Sequence, residues 1–213
     1  MIARIAALFT SLAVLGLVPV PAAAAQHERA VLAGGCFWGM EAVFESLRGV
    51  TNVVSGFSGG SATTAHYEVV STGMTGHAEA VEITFDPAQI SYAQLLAVYF
   101  TVAHDPTELN RQGPDDGTQY RSSIFYTSEA QKRVATQTIA SLTAAHTFSS
   151  PIVTTVVPFA AFYPAEAYHQ HFAAQNPDYP YIVYNDIPKL AQLRQKFPQL
   201  VKPHSVAVIL TRS

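Results

Sequence analysis

The chain is poor in reactive and charged residues. Of its 213 residues one is cysteine, Cys36, and one is tryptophan, Trp38. A single cysteine excludes any internal disulfide, so stability must rest on packing. Charged residues make up 13% of the chain and the net charge is −3, which leaves no basic footprint for nucleic acid. Phosphate-loop and dinucleotide fingerprints are missing, as are repeats, low-complexity stretches and an internal linker.

What is present is a composition 49% hydrophobic, in a length that suits one domain. The N-terminus reads differently. Arg4 precedes an apolar run from Ile5 to Val20, and Ala22 to Ala25 supplies the small residues of a cleavage site. Met1 to Ala25 is therefore expected to be a cleaved signal peptide, with an uncleaved membrane anchor as the rival reading. Residues 26–213 are expected to be the folded domain, ending in an irregular tail and exported to a bacterial periplasm. An unpaired thiol in an exported protein poses a functional question.

Periodicity gives an order of elements. Arg29 to Leu32 reads as a strand closed by Gly34-Gly35, and Phe37, Met40, Phe44 and Leu47 fall at helical spacing. Val50 to Gly56 and Val81 to Phe85 read as strands, the latter alternating with Glu82 and Thr84. Capping-box patterns at Ser91–Gln94 and Ser128–Gln131 open helices to about Val102 and Ala145. Tyr120 to Tyr126 and Ile152 to Val157 complete the strands, while 107–119 reads as a long loop. Pro164 to Ala174 looks helical, and Pro188 to Lys196 is a possible helix in the tail. The β-α-β-β-α-β order predicts an α+β, ferredoxin-like two-layer sandwich with C-terminal additions.

Cys36 falls at the start of a helix, where free N–H groups and the dipole stabilise negative charge. This position predicts a lowered thiol pKa and a nucleophilic thiolate; the other reading is a buried structural sulfur. Alternation places Glu79 on the face of Val81, Ile83 and Phe85. A carboxyl there would hold a proton near neutral pH and suit a general acid. Alternatively, it lies just before the strand and is solvated.

Gly35-Cys-Phe-Trp-Gly39 with Glu41 resembles the active-site signature of the A-type peptide methionine sulfoxide reductases. Further segments agree in order. They are Gly56-Phe-Ser-Gly-Gly60, Tyr67-Glu-Val69, Thr75-Gly-His-Ala-Glu79, His104-Asp-Pro106, Gly117-Thr-Gln-Tyr-Arg-Ser122, and Phe162-Tyr-Pro-Ala-Glu166 with Tyr168-His-Gln170. The likeness runs from about Val31 to about Lys202. It implies a catalytic domain in which Cys36 attacks the sulfoxide sulfur, Glu79 supplies a proton, and Tyr67 and Tyr120 hydrogen-bond the oxygen. It implies further that Asp115 orients a water or a substrate amide and that Phe37 and Trp38 wall the methyl site. The substrate would be the S epimer of methionine sulfoxide, free or in oxidised proteins and peptides. The product at Cys36 would be a sulfenic acid, with no bound cofactor.

The sequence departs from that pattern where many relatives carry resolving cysteines near the C-terminus. Val201 to Ser213 has no thiol, so a one-cysteine enzyme reset by an external thiol is expected, with thioredoxin, glutaredoxin or glutathione as candidate reductants. Phe57, Pro114, Asp116 and Ala167 also differ and bear on loop geometry. His169 and His171 form a weak metal signal, and no metal is expected. His77 reads as packing. The tyrosines of 177–184 read as a packed tail or a peptide-binding rim. A monomer is expected. A thiol peroxidase and a non-catalytic module for oxidised methionine are the rival functions.

Overall fold

A computed structural model describes residues 27–211; the expected signal peptide, 1–25, lies outside them. Alternation builds the sheet. In β1 (Glu28–Ala33), Ala30 and Leu32 face the main core, whereas Val31 and Ala33 face a smaller cluster with Ala78, Ala80 and Phe125. β3 (Ala78–Phe85) repeats the pattern, sending Val81, Ile83 and Phe85 to the main core. Helix α1 (Phe37–Glu45) buries Phe37, Met40 and Phe44 there, and Leu47 follows just past its end. Each such side chain contributes roughly 1.5–3 kcal/mol. Together they outweigh the lack of a side-chain cap at Cys36, a loss of about 1 kcal/mol.

The remaining strands of the main sheet are β2 (Val50–Ser58), β6 (Ser123–Tyr126), β7 (Thr155–Pro158) and β8 (Phe162–Pro164). They stand in the order β7-β6-β1-β3-β2-β8, antiparallel except for the β6–β7 pair. The expected α+β class holds in its coarser form, a mixed α/β architecture on one six-stranded sheet. The sheet is also curled, which the order of elements did not foretell. β7 and β8 occupy opposite edges yet are joined only by residues 159–161. Six strands laid flat would separate the edges by about 24 Å, whereas that connection spans at most about 14 Å. The edges therefore bend together, and Val157, Phe159 and Phe162 close over the smaller cluster.

Helix α3 (Tyr92–Val98) has the complete expected capping box, Ser91 Oγ accepting from Gln94 N–H at 3.2 Å and Gln94 Oε1 from Ser91 N–H at 2.9 Å. It continues as a π turn, Tyr99–Ala103, rather than as α-helix to Val102. Helix α4 (Glu129–Ala144) keeps only half of its predicted box. Ser128 caps it, but the buried Gln131 side chain accepts from Thr127 N–H and donates to Arg29 O of β1 at 2.7 Å, tying helix to sheet.

Several boundaries differ from expectation. The Tyr120–Tyr126 strand begins at Ser123, because Tyr120 ends a 3-10 turn over Thr118–Tyr120. The edge strand expected from Ile152 starts at Thr155. A short helix α2 (Tyr67–Val70) follows the loop after β2, and the 107–119 loop holds a small hairpin of β4 (Arg111–Gln112) and β5 (Asp115–Asp116). The helix expected over 164–174 is broken into a 3-10 turn, Ala167–His169, and α5 (Phe172–Gln175). Pro164 is held in β8, and His171 sits between the two pieces at φ +54°, where helical hydrogen bonding cannot continue. A π segment, Ile182–Asp186, leads into α6 (Ile187–Lys196), and α7 (Val206–Leu210) lies near the end of the described residues.

Candidate active site

The turn from β1 into α1 fixes Cys36. Gly35 has φ +88°, and a Cβ there would fall 2.6 Å from Gln112 Cγ, so only glycine fits. Its N–H donates to Tyr120 O at 3.2 Å, holding the 3-10 turn against the cysteine. Cys36 is the N-cap residue of α1 and is 8% exposed. The expected lowering of its pKa is overturned. Burial pushes the thiol well up, and the charges of Glu79, Asp186 and Asp115 push it further, while only the Trp38 N–H works the other way. One of the free helix N–H groups, that of Phe37, is already committed to Glu79 Oε2 at 3.1 Å.

Glu79 lies on the core face of β3, as alternation required, and β3 begins one residue before it. It is 2% exposed. Burial raises its carboxyl to about 8 against the pull of the Phe37 N–H, with the Asp115 charge adding to the rise. The group therefore carries a proton at neutral pH. The buried His77 ring lies two positions earlier, just before β3 begins. His77 serves the loop after β2, its Nδ1 accepting from Gly60 N–H at 3.2 Å and its Nε2 meeting Ser61 O at 2.9 Å.

Two phenols approach the same point. Tyr67 opens α2, where Glu166 Oε1 accepts its N–H at 3.1 Å. Burial, then the charges of Glu79 and Cys36, raise its phenol to about 12. Tyr120 comes from the 3-10 turn, and burial followed by Glu79 and Asp115 raises it likewise. Both phenols hold their protons and can donate. Asp115 is supplied by β5 and accepts a hydrogen bond from Tyr181. Burial raises the Asp115 carboxyl.

Phe37 and Trp38 have different environments. Phe37 is buried among Phe57, Tyr67 and His169, with ring centroids 5.8, 6.3 and 5.0 Å away. Trp38 is half-buried, stacked on Phe172 at 3.9 Å and 11°, with Tyr179 and Tyr181 edge-on. Its Nε1–H donates to His169 Nδ1 at 3.1 Å.

Sequence reasoning missed three of these neighbours. Tyr181 lay within the tyrosine-rich tail but carried no sign of its contact with Asp115. Asp186 is completely buried, and a Cβ on Gly39 would fall 2.1 Å from its Oδ1. Its spacing to Lys189, which pairs with it at 3.3 Å, was the one available signal and said nothing of Cys36. His169 had been grouped with His171, yet the two diverge, His169 to Trp38 and His171 to Glu41 and Glu45. A cleft of about 580 Å³, lined in part by Gln112, Tyr181, Tyr184 and Lys189, opens beside the cluster.

A family model described as peptide methionine sulfoxide reductase matches residues 28–201. The peptide methionine sulfoxide reductase MsrA 2 of Mesorhizobium japonicum is 55% identical over 187 residues, covering 88% of this chain and 96% of its own. A protein of the same name from Synechocystis is 51% identical over 192 residues, 90% of each chain. Among solved structures, the reduced form of Mxr1 from Saccharomyces cerevisiae superposes with a TM-score of 0.68 at 31% identity, covering 73% of this chain and 88% of that one. The methionine sulfoxide reductase A of Corynebacterium diphtheriae gives 0.62 at 35% identity, covering 71% and 76%.

Proposed function

The chain belongs to the peptide methionine sulfoxide reductase family and shares its activity, and we propose that it reduces the S epimer of methionine sulfoxide through a sulfenic acid on Cys36. The observation that carries this reading is the seat of the thiol, beside a carboxyl that holds a proton at neutral pH and two protonated phenols. Tyr67 and Tyr120 donate to the sulfoxide oxygen, and the proton of Glu79 makes that oxygen a leaving group. Phe37 and Trp38 line the methyl site, and Asp115, held by Tyr181, orients a water or the substrate amide. Cys36 Sγ attacks the sulfoxide sulfur; as the substrate S–O bond breaks, the protonated oxygen ends bonded to Sγ and the transient S–S bond is released. The cysteine sulfur loses two electrons and the substrate sulfur gains them. The thiol proton replaces the one Glu79 gave, so the products are methionine and Cys36 sulfenic acid.

The thiol of the free protein is held neutral by burial and by surrounding carboxylates. Formation of the thiolate is therefore coupled to loss of the Glu79 proton to substrate, which removes the need for a low thiol pKa at rest. The apolar wall beside the thiol favours a methyl sulfoxide over a peroxide.

Cys36 is the only cysteine, so the sulfenic acid has no internal thiol to meet. One external thiol displaces water to give a mixed disulfide, and a second thiol releases Cys36. Thioredoxin, glutaredoxin and glutathione fit that chemistry, and no bound cofactor is required. Substrates are free methionine sulfoxide and oxidised proteins, met by a monomer exported to the periplasm once residues 1–25 are removed. The test is mass spectrometry after one equivalent of a methionine-S-sulfoxide peptide. A gain of one oxygen on Cys36 is expected, and release of methionine without any modified Cys36 would refute the scheme. The R epimer should give neither product.

A further inference from the structure

Outside the active site, three side chains of metal-ligand type converge. Glu41 and Glu45 stand one turn apart on α1 and present their carboxylates to the same side. His171 meets them from the tail. Its backbone N–H donates to Glu41 Oε2 at 2.8 Å, and its ring Nδ1 lies 3.8 Å from Glu41 Oε1 and in contact with Glu45 Oε1. One donor atom from each of the three lies within 4.8 Å of the other two.

A second observation points to a ligand. Glu41 is 1% exposed, and its Oε1, the atom facing the imidazole, has no hydrogen-bond partner among the described residues. Buried carboxylate oxygens are rarely left so. The Ser55 hydroxyl beside Glu41 makes no hydrogen bond of good geometry, but it stands close enough to lower the Glu41 carboxyl. Lys202 donates to the backbone carbonyl of Glu45 at 2.9 Å, and among the described residues no lysine or arginine forms an ion pair with either carboxylate. Among the described residues the half-exposed imidazole is the one group that forms an ion pair with both carboxylates, and the Lys202 ammonium stands close enough to Glu45 to lower its carboxyl.

We propose that Glu41, Glu45 and His171 form a binding site for a divalent first-row transition cation, of which zinc fits best. An imidazole with two carboxylates neutralises a doubly charged ion and suits zinc, whereas calcium and magnesium favour all-oxygen shells. Donors around tetrahedral zinc stand roughly 3.3 Å apart, so closure from the observed spacing needs only side-chain motion. A cleft of about 310 Å³ lined by Glu45, His171, Lys202 and His204 gives an entry path and room for water in the fourth position. The site differs from the His169–His171 pairing that the sequence suggested. Its consequence is mechanical. The cation clips the tail to α1, and His169, two residues before the clip, carries the hydrogen bond to Trp38.

The experiment uses the full chain with Cys36→Ser, so that the thiol cannot serve as ligand, stripped with chelator and titrated with Zn²⁺. One zinc per chain is expected, with a rise in Tm that Mg²⁺ and Ca²⁺ do not reproduce. His171→Gln and Glu45→Gln in the same background should each weaken zinc at least about tenfold. Their metal-free Tm values report whether each variant is folded, and His171→Gln, at an exposed position, stands alone if Glu45→Gln is not. Absence of stoichiometric zinc on the parent, or equal affinity in folded His171→Gln, overturns the proposal.

Discussion

Glu79 Oε2 accepts the backbone N–H of Phe37 at 3.1 Å, one residue past Cys36. The bond ties β3 to the first turn of α1, so the carboxyl and the thiol are positioned by the same contact. A Glu79→Gln side chain keeps an acceptor for that N–H but has no proton to give at neutral pH. Loss of a general acid is expected to slow the reduction step by about 100-fold or more. Single-turnover release of methionine measures it, and a rate within about threefold of the parent would remove Glu79 from the step.

The rate should also depend on pH through this group. The folded carboxyl titrates at about 8, so the protonated form dominates below that value and is lost above it. The single-turnover rate is expected to fall as pH rises through about 8. A profile flat to pH 10 contradicts the assignment.

Stability carries the same signature with a definite sign. Unfolded Glu79 titrates at its ordinary value of 4.5, whereas the folded group does so at about 8. The native state therefore holds the extra proton. This group's contribution falls as pH rises from about 4.5 to about 8 and is constant outside that window. Glu79→Gln abolishes the ionisation. Its Tm relative to the parent should thus rise between pH 5 and pH 9, measured by scanning calorimetry.

Cys36 itself should behave as a neutral, shielded thiol in the free protein, because burial above all, and then the neighbouring acidic side chains, oppose its ionisation. Alkylation by iodoacetamide at pH 7 is expected to be at least about tenfold slower than for a free cysteine, since only the thiolate attacks. Cys36→Ser should lack reductase activity altogether. Turnover of the parent should be sustained by a monothiol, with no intramolecular disulfide at any stage.

Gly39→Ala tests the packing behind the thiol. Its Cβ would enter 2.1 Å from Asp186 Oδ1, a buried carboxylate paired with Lys189. Either α1 or the π segment must shift, at a cost of about 1–3 kcal/mol. Chemical denaturation should show that loss, and an unchanged midpoint would mean the segment yields freely.

Much of this arrangement was legible beforehand. Period-two alternation put Glu79 on the core face of β3, and Gly34-Gly35 before a helical repeat put Cys36 at a helix start; both hold in the structure. These features depend on neighbours within a few residues, which is the range over which periodicity and capping act. The curl of the sheet was not legible, because it follows from two edge strands joined by three residues, and β8 was too short to announce itself. Nor were the contacts of Tyr181, Asp186 and His169, each at least 66 residues from its partner beside the site or brought there only by the tail's path.

The amino-acid sequence by itself determined that there is one thiol, where it stands in its helix, and that no second cysteine can answer it. Those are facts of composition and local order. Only the tertiary structure decided the state of that thiol. The helix start argued for a thiolate, but the exclusion of water and then three acidic side chains from distant segments act on the same sulfur and outweigh the helix N–H groups. Desolvation and charge depend on what surrounds a group in space, and the chain order of β3, β5 and the segment before α6 does not reveal that they meet.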